Sequence, residues 1–139
     1  MQYKIWNGAS AIVIKDNSVL MVRAKNSNSW SVPSGEVEVD ETAKETCIRE
    51  ISEETGYEAK VVKALHTKNT IIKDYKVTTQ YFLCEVTGGA IQYQDPDDEI
   101  EEISWINSSE ISNIIHAYPE DQEIIEKLLT KPNGKDFVK

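Results

Sequence analysis

A chain of 139 residues is long enough for one domain with a sizeable core and short for two. Its composition, with 40% hydrophobic and 28% charged residues, is typical of a soluble globular protein. The formal net charge of −9 disfavours nonspecific binding to nucleic acid polymers and to anionic membranes, because either polyanion would be repelled. Any phosphate-bearing ligand would need local cations, from lysine, arginine or metal.

The sequence also lacks the signals of export and of membrane insertion. Its first residues contain no apolar run of signal-peptide length, and no later stretch approaches the roughly 18 apolar residues of a membrane span. Cys47 and Cys84 stand among apolar neighbours without CxxC spacing, which favours two buried thiols over a metal or redox site. We therefore expect one cytoplasmic domain over residues 1–139, with no membrane partner.

The N-terminal part predicts a β-hairpin followed by a loop. Residues 9–15 and 19–23 are rich in β-forming side chains, and the turn-forming residues 16–18 separate them. Residues 26–31 are polar and typical of a loop. The Pro-Ser-Gly sequence at residues 33–35 is expected to break any regular element.

Residues 41–55 have the pattern of an amphipathic helix. Apolar side chains recur at spacings of three and four, at Ala43, Cys47, Ile48 and Ile51. Gly56 then supplies a C-terminal stop signal.

The second half of the chain predicts further strands and then helices. Strands are expected over residues 61–67, 76–87, 91–93 and 102–106, with a turn at the glycines 88–89 and an acidic loop at 95–99. Helices are expected over 108–115, capped by Ser108 or Ser109, and over 120–129, ended by 132–134, so that both lie within about 108–130. The order β-β-α-β-β-β-α-α indicates an α/β fold in which a mixed β-sheet is sandwiched between α-helices.

Three glutamates crowd the end of the first predicted helix. At about 100° per residue, Glu50, Glu53 and Glu54 fall within an arc of roughly 100°. Like charges at these spacings destabilise a helix, and the helix dipole disfavours negative charge in its last turn. Oxygen ligands on one face suit Mg²⁺ or Mn²⁺, whereas a solvated acidic helix end is the alternative that the three residues alone leave open.

The spacing around these glutamates resembles the Nudix box, Gly-x5-Glu-x7-Arg-Glu-U-x-Glu-Glu-x-Gly-U, in which U is a bulky aliphatic residue. All seven fixed positions, within residues 35–57, are matched by Gly35, Glu41, Arg49, Glu50, Glu53, Glu54 and Gly56. The likeness to MutT-like proteins extends over roughly residues 8–107. Three positions depart from the usual pattern: Tyr57 replaces an aliphatic residue, and Asp40 and Ser34 replace common glycines.

The resemblance implies a Nudix fold with a divalent metal site, for Mg²⁺ or Mn²⁺. Glu50 and Glu54 would be the firmest metal ligands and Glu53 a third. The residue before the box glycine, here Ser34, can offer its backbone carbonyl to the metal in relatives. The metal would polarise a bridging phosphate and lower the pKa of an attacking water.

The resemblance also implies roles for two further box residues and for a general base. Arg49 would orient Glu50 through a charge-assisted hydrogen bond, and Glu41 would favour the helix N-terminus and help to hold Arg49. The base is either a box glutamate or an acid from a loop outside the box. Glu99 and Glu102 occupy the region from which such an acid comes, and a solvated charge run is an equal alternative for each.

Residues that would bind the substrate are less well specified. Arg23 and Lys25 follow the second hairpin strand and are candidates to hold phosphate, although surface solvation explains them equally well. Trp30, Tyr75 and Tyr81 are candidates for stacking on a base, with a place in the core as the alternative.

The predicted activity is hydrolysis of a phosphoanhydride bond in a nucleoside diphosphate or triphosphate type of substrate, by a monomer or homodimer. The sequence has no coenzyme A-type motif upstream, and it lacks the proline of ADP-ribose hydrolases and the tyrosine of dinucleoside polyphosphate hydrolases at their usual offsets. Nucleoside triphosphates or a related small nucleotide remain by elimination. The alternative is a Nudix-fold module that binds a nucleotide, or has a regulatory role, without catalysis.

Overall fold

A computed structural model describes residues 2–130. The strands are β1 (Lys4–Lys15), β2 (Ser18–Ala24), β3 (Ser29–Ser31), β4 (Ser34–Glu36), β5 (Tyr57–Ile72), β6 (Tyr75–Gly89), β7 (Ile100–Asn107) and β8 (Ile115–His116). The helices are α1 (Ala43–Thr55) and α2 (Asp121–Leu129), with one 3-10 turn at Ile111–Asn113. None of the helices within residues 2–130 is long and apolar enough to cross a membrane.

The strands form one mixed sheet in the order β5-β6-β1-β2-β3-β8, and β4 and β7 pair with β1 and β2. β1 joins the two halves because most of its length pairs in parallel with β6, whereas its end pairs antiparallel with β2. Alternate positions of β1 serve two cores: Ala9, Ala11 and Val13 pack with the cluster around α1, and Ile12 packs with the cluster around α2. The predicted α/β fold, with a mixed sheet between helices, is confirmed.

Helix α1 begins and ends where its sequence supplies hydrogen-bonding caps. Thr42 and Glu45 form a reciprocal capping box at the N-terminus. Gly56 ends the helix with a left-handed φ of 90°, as the stop signal predicts, and its N–H donates to the carbonyl of Ser52. Asp40, in the position of a common family glycine, has a φ of 68°, which explains why glycine is usual there.

The predicted hairpin is confirmed as β1 and β2, and the strands of the structure are longer than the sequence predicts. β5 and β6 pair antiparallel along almost their whole length, from Tyr57↔Gly89 to Ile72↔Tyr75. The predicted turn at Gly88 and Gly89 is therefore wrong. Pairing with β5 keeps both glycines in the strand, and a side chain on Gly89 would lie 2.7 Å from the carbonyl oxygen of Gly56.

Four other predictions of local structure are wrong. Residues 34–36 are not a break but form β4, which pairs with β1, and the polar segment 26–31 contains β3. Residues 91–93 form no strand, since Gln92 instead donates its N–H to the carbonyl of Thr55. The predicted helix over 108–115 is a 3-10 turn followed by β8.

The helix prediction over 108–115 fails because its isoleucines do not share a buried face. Ile111 is fully buried whereas Ile115 is 56% exposed. His116 and Ile115 pair in parallel with β3, and the imidazole of His116 bonds to the carbonyl of Ile111 at 2.8 Å. The helix predicted over 120–129 is confirmed as α2, and its predicted stop at 132–134 lies outside the described residues.

Candidate active site

A bidentate ion pair joins the start of α1 to its middle. The Arg49 guanidinium donates from Nε to Glu41 Oε2 at 2.7 Å and from Nη2 to Glu41 Oε1 at 3.0 Å. Glu41 also accepts from the Thr46 hydroxyl and from the backbone N–H of Glu38. These bonds, that of Arg49 first, lower the pKa of Glu41 to about 2. Glu41 is therefore held as a carboxylate.

The same guanidinium reaches two of the three clustered glutamates. Arg49 Nη1 donates to Glu50 Oε2 at 3.0 Å and to Glu53 Oε1 at 3.2 Å. Its Nη2 also donates to the carbonyl of Glu36 in β4, at 3.1 Å. Arg49 thus connects the helix to the strand beside it and fixes the direction of the Glu50 side chain.

Glu50 and Glu54 form a partly buried pair of carboxyl groups on the side of α1 that faces β4. Burial is the largest cause that raises the pKa of both groups. The Glu54 carboxyl donates to the Glu50 carboxylate, which raises the pKa of Glu54 further, while Arg49 opposes the shift at Glu50. Ionisation of both groups in this partly buried position is unfavourable, and a cation between them would relieve their repulsion.

The backbone of β4 closes the other side of this pair. A Cβ atom added to Gly35 would overlap the carboxylate of Glu50, so only glycine lets the strand approach this closely. A backbone hydrogen bond from Ser34 reaches Glu54 and partly offsets the rise of its pKa. Ser34 itself has no left-handed φ, so it occupies the position of the family glycine without backbone strain.

These groups fit a hard divalent cation. Two partly buried carboxyl groups and a nearby backbone supply oxygen ligands, and Mg²⁺ usually takes its remaining ligands from water and substrate phosphates. Within residues 2–130, no three His, Cys, Asp or Glu side chains are grouped so that they alone could hold a metal ion. Glu53 is directed to Arg49 rather than to the Glu50–Glu54 pair.

An acidic residue that the sequence did not single out acts on this pair. The segment before β7 crosses the end of α1, where Gln92 bonds to Thr55 and the Gln94 amide donates to the carbonyl of Ser52. It brings in Asp95, whose negative charge contributes to the raised pKa of Glu54. The Asp95 carboxylate also accepts from the backbone N–H of Glu99 at 2.8 Å, which fixes the turn.

The other candidate residues lie on the β2–β7 part of the sheet. Arg23 pairs with Glu102 at 3.2 Å and donates to the carbonyl of Ser27, so that a predicted phosphate ligand and a predicted base neutralise each other. Lys25 forms an ion pair with Asp98 at 3.0 Å. Neither Arg23 nor Lys25 lines the cleft that opens at Ser34.

A cleft of about 430 Å³ opens beside the box at Ser34 and crosses the face of the sheet. Its lining is largely apolar and aromatic with hydroxyl groups between, and consists of Trp6, Ala9, Ser10, Ser34, Lys68, Thr70, Ile72, Tyr75, Val77, Thr79, Tyr81, Tyr118 and Glu120. Tyr75 and Tyr81 both line the cleft, and Tyr81 also belongs to the buried core cluster around α2. Trp30 lies under the guanidinium of Arg23, 5.9 Å from it.

Sequence reasoning missed the charged residues of the cleft. The ammonium of Lys68 bonds to Glu120 at 2.7 Å and lies over the rings of Tyr81 and Tyr118. Lys68 stands in a long strand with other lysines, and no motif distinguishes it. Only the register of β5 against β6 brings it to the cleft.

Comparison with known proteins identifies the family. The family model of the NUDIX domain matches residues 5–128. The chain belongs to the Nudix family. The resemblance drawn from the box is thereby confirmed over most of the chain.

Curated Nudix relatives have differing activities in their names. The ADP-ribose pyrophosphatase of Methanocaldococcus jannaschii is 30% identical over 88% of this chain and 72% of its own length. The 8-oxo-(d)GTP phosphatase of Mycolicibacterium smegmatis is 25% identical over 82% of this chain and 34% of its own length. The chain spans 29% of a Caenorhabditis elegans relative and 40% of one from Mycobacterium tuberculosis.

Solved Nudix structures share the fold. A NUDIX hydrolase from Nitrosomonas europaea matches with a TM-score of 0.79 at 20% identity, over 93% of this chain and 91% of that one. A UDP-X diphosphatase matches with a TM-score of 0.77 at 21% identity, over 96% of this chain and 66% of that one. At this level of identity the likeness extends to the architecture alone.

Proposed function

We propose that this protein is a divalent-metal-dependent hydrolase that cleaves a phosphoanhydride bond in a nucleoside diphosphate or triphosphate type of substrate. The observation that carries the proposal is the partly buried Glu50–Glu54 pair, with its raised pKa values, near an end of the cleft marked by Ser34. Stability alone would not place two carboxyl groups there, and a cation would relieve their repulsion. A bound metal would also explain how a chain of net charge −9 binds phosphate.

The proposed metal ligands are Glu50 and Glu54, with the Ser34 backbone and Glu53 as further candidates. Bound Mg²⁺ or Mn²⁺ would supply Lewis acidity to a phosphate oxygen and to an attacking water. Glu53 would have to turn from Arg49 to reach the pair, so its ligand role depends on rearrangement when metal binds.

Arg49 and Glu41 are proposed as positioning residues. Arg49 holds one oxygen of Glu50, which leaves the other free to accept a proton or bind a cation. Glu41 holds Arg49 through two bonds and is itself held by Thr46, so the direction of Glu50 is fixed from the start of the helix. Their loss would lower turnover without removing a reacting group.

The general base is proposed among the acids of the segment before and within β7. Asp95 leads, because its charge acts on Glu54, while Glu102 is neutralised by Arg23. Glu99 lies on the same turn, through its N–H bond to Asp95. Each of these three acids is replaced by its amide, and kcat is measured against pH. The base is the residue whose amide variant loses the acidic limb of the profile.

The proposal is tested with Glu54→Gln against Glu123→Gln, which makes the same change on α2 where the side chain is 79% exposed. Phosphate release is measured over a panel of nucleotides with Mg²⁺ and Mn²⁺, and product masses identify the broken bond. We expect Glu54→Gln to fold and to lose about 1,000-fold in kcat, since several kcal/mol of metal-dependent stabilisation are removed. Glu123→Gln should match wild type.

Wild-type rates in Glu54→Gln would refute the metal-dependent mechanism. Absence of turnover by the wild type over the whole panel, together with tight nucleotide binding, would instead support the alternative of a Nudix-fold binding or regulatory module.

A further inference from the structure

The cleft has two ends that differ in chemistry. Ser34 on β4 pairs with Ser10 on β1, which pairs with Tyr81 on β6, and Tyr81 in turn pairs with His66 on β5. These three neighbouring strand pairs place His66 about 14 Å from Ser34 across the sheet. Lys68 follows His66 by two residues on β5 and therefore faces the same side of the sheet, far from the metal site. Lys68 and Glu120 thus stand where the organic half of a substrate would lie.

Lys68 and Glu120 offer a donor beside an acceptor at this far end. Lys68 Nζ contacts Glu120 Oε2 at 2.7 Å, and the Glu120 side chain is 54% exposed, so its carboxylate has acceptor capacity left. The ammonium lies 5.5 Å from the Tyr81 ring centre and 5.2 Å from that of Tyr118. Buried Asp121, bonded to the Tyr81 hydroxyl at 2.6 Å, keeps this arrangement in place.

The floor of the cleft suits a flat ring. The indole of Trp6 folds over Gly8, and a Cβ atom at Gly8 would overlap it. Trp6 is half-buried and lines the cleft, and Tyr75, which lines it too, pairs with Lys4 two residues before Trp6. A planar heterocycle can stack on such a face while its edge reaches Lys68 and Glu120.

We infer that the cleft selects guanine nucleotides, with the guanine edge bound by Lys68 and Glu120. Guanine presents the O6 acceptor next to the N1–H and N2–H donors; the ammonium donates to O6 and the carboxylate accepts both N–H bonds. Adenine would place an amino donor at the ammonium, and cytosine would place two acceptors at the carboxylate. Uracil offers a single N–H between two acceptors. The inference deepens the proposed hydrolase function and rests on it for the position of the phosphates.

The test compares kcat/KM for GTP, ATP, CTP and UTP in wild type, Glu120→Gln, Lys68→Met and the exposed control Glu123→Gln. A GDP-linked hexose is assayed beside GTP, because the same guanine edge occurs in both. We expect wild type to prefer guanine nucleotides about 10- to 100-fold, the range that a hydrogen bond to a charged group provides. Glu120→Gln and Lys68→Met should lose that preference through a higher KM for GTP, with ATP changed less than about threefold.

Binding without metal separates this inference from the proposed function. GMP and AMP are titrated calorimetrically into each protein in the presence of a chelator. Preferred binding of GMP that Glu120→Gln abolishes supports the inference even if no nucleotide is hydrolysed, in which case only the proposed function fails. Equal turnover of GTP and ATP, or an equal loss of both in Glu120→Gln, overturns the inference and leaves the hydrolase intact. If the protein neither hydrolyses nor binds any nucleotide, both the inference and the proposed function are overturned.

Discussion

Arg49 is the residue through which the start and the end of the box are connected. Its planar guanidinium makes two bonds to Glu41 and one each to Glu50 and Glu53, a geometry that an ammonium cannot reproduce. We predict that Arg49→Lys retains the fold but lowers kcat about 10- to 100-fold, because Glu50 loses its fixed direction. Steady-state kinetics and circular dichroism of the two proteins check this, and an unchanged kcat would contradict it.

Glu54 makes stability depend on pH when metal is absent. Its pKa in the folded protein is raised, so the native state binds a proton that the unfolded state has released above about pH 4.5. Stability is therefore lost as the pH rises above this value. Glu54→Gln carries no charge, and we predict that its melting temperature in chelator exceeds that of wild type at pH 8 and converges with it near pH 5.

The exposed control Glu123→Gln should show no such pH-dependent difference from wild type. A difference between Glu54→Gln and wild type that stays constant from pH 5 to pH 8 would show that Glu54 is not destabilised by its charge. Scanning fluorimetry at a series of pH values gives both comparisons.

Residues of the candidate site could be predicted from the sequence where they lie on one helix. Glu50, Glu53 and Glu54 are held in register by the helical period, so their crowding follows from sequence spacing. Asp95 and Lys68 could not be found in this way, because a loop and a strand pairing bring them to the site from distant positions. Their chemistry depends on contacts that no local pattern encodes.

Among the elements, the end of α1 is tightly constrained by backbone geometry. Gly56 has a φ of 90°, and an added Cβ atom would lie 2.5 Å from the carbonyl oxygen of Ala90 and 2.6 Å from the nitrogen of Gln92. We predict that Gly56→Ala lowers the free energy of unfolding by about 2 kcal/mol or more. Urea denaturation measures it.

Gly88→Ala is the matched control for that substitution. The Cβ atom at Gly88 would meet only the flexible carboxyl end of Glu58, at 3.0 Å, and Gly88 has no left-handed φ. Gly88→Ala should therefore change stability by less than about 1 kcal/mol. Equal effects of the two substitutions would show that the strain at Gly56 is relieved by movement of the segment that contains Gln92.

The elements that the sequence predicted well are those in which buried side chains recur at a single regular spacing. Helix α1 and helix α2 each bury one stripe, and their bounds agree with the sequence within two residues. The segment 108–115 has isoleucines at helical spacing, but β3 offers an edge that residues 115–116 join instead. Tertiary pairing decided that case, as it did for the unpredicted strand β4.

At the scale of the whole molecule, one sheet places two chemically different surfaces close together. The core cluster around α1 lies on one face of the sheet and the cluster around α2 on the other. β4 pairs with β1 outside the main strand order. The acidic box and the largely apolar cleft meet at Ser34. A cation held at the box would therefore lie beside a largely apolar surface suited to the organic half of a nucleotide.

Because the Glu50–Glu54 pair belongs to the folded state, metal should stabilise the entire domain. A ligand that binds only the native state adds about 2.7 kcal/mol at 100 times its Kd. For a domain of this size we predict that saturating Mg²⁺ or Mn²⁺ raises the melting temperature by roughly 5–10 °C. Scanning calorimetry at constant ionic strength, with KCl replacing MgCl₂, separates specific binding from the screening of a net charge of −9.

Glu54→Gln distinguishes the site from other acidic groups on the surface. If the Glu50–Glu54 pair holds the ion, this variant should lose most of the metal-induced rise, whereas Glu123→Gln should retain it. A rise that is equal in all three proteins would place the stabilising metal elsewhere among the acidic residues. A rise that KCl reproduces would be charge screening, since a monovalent salt cannot replace a divalent ion between two buried carboxylates.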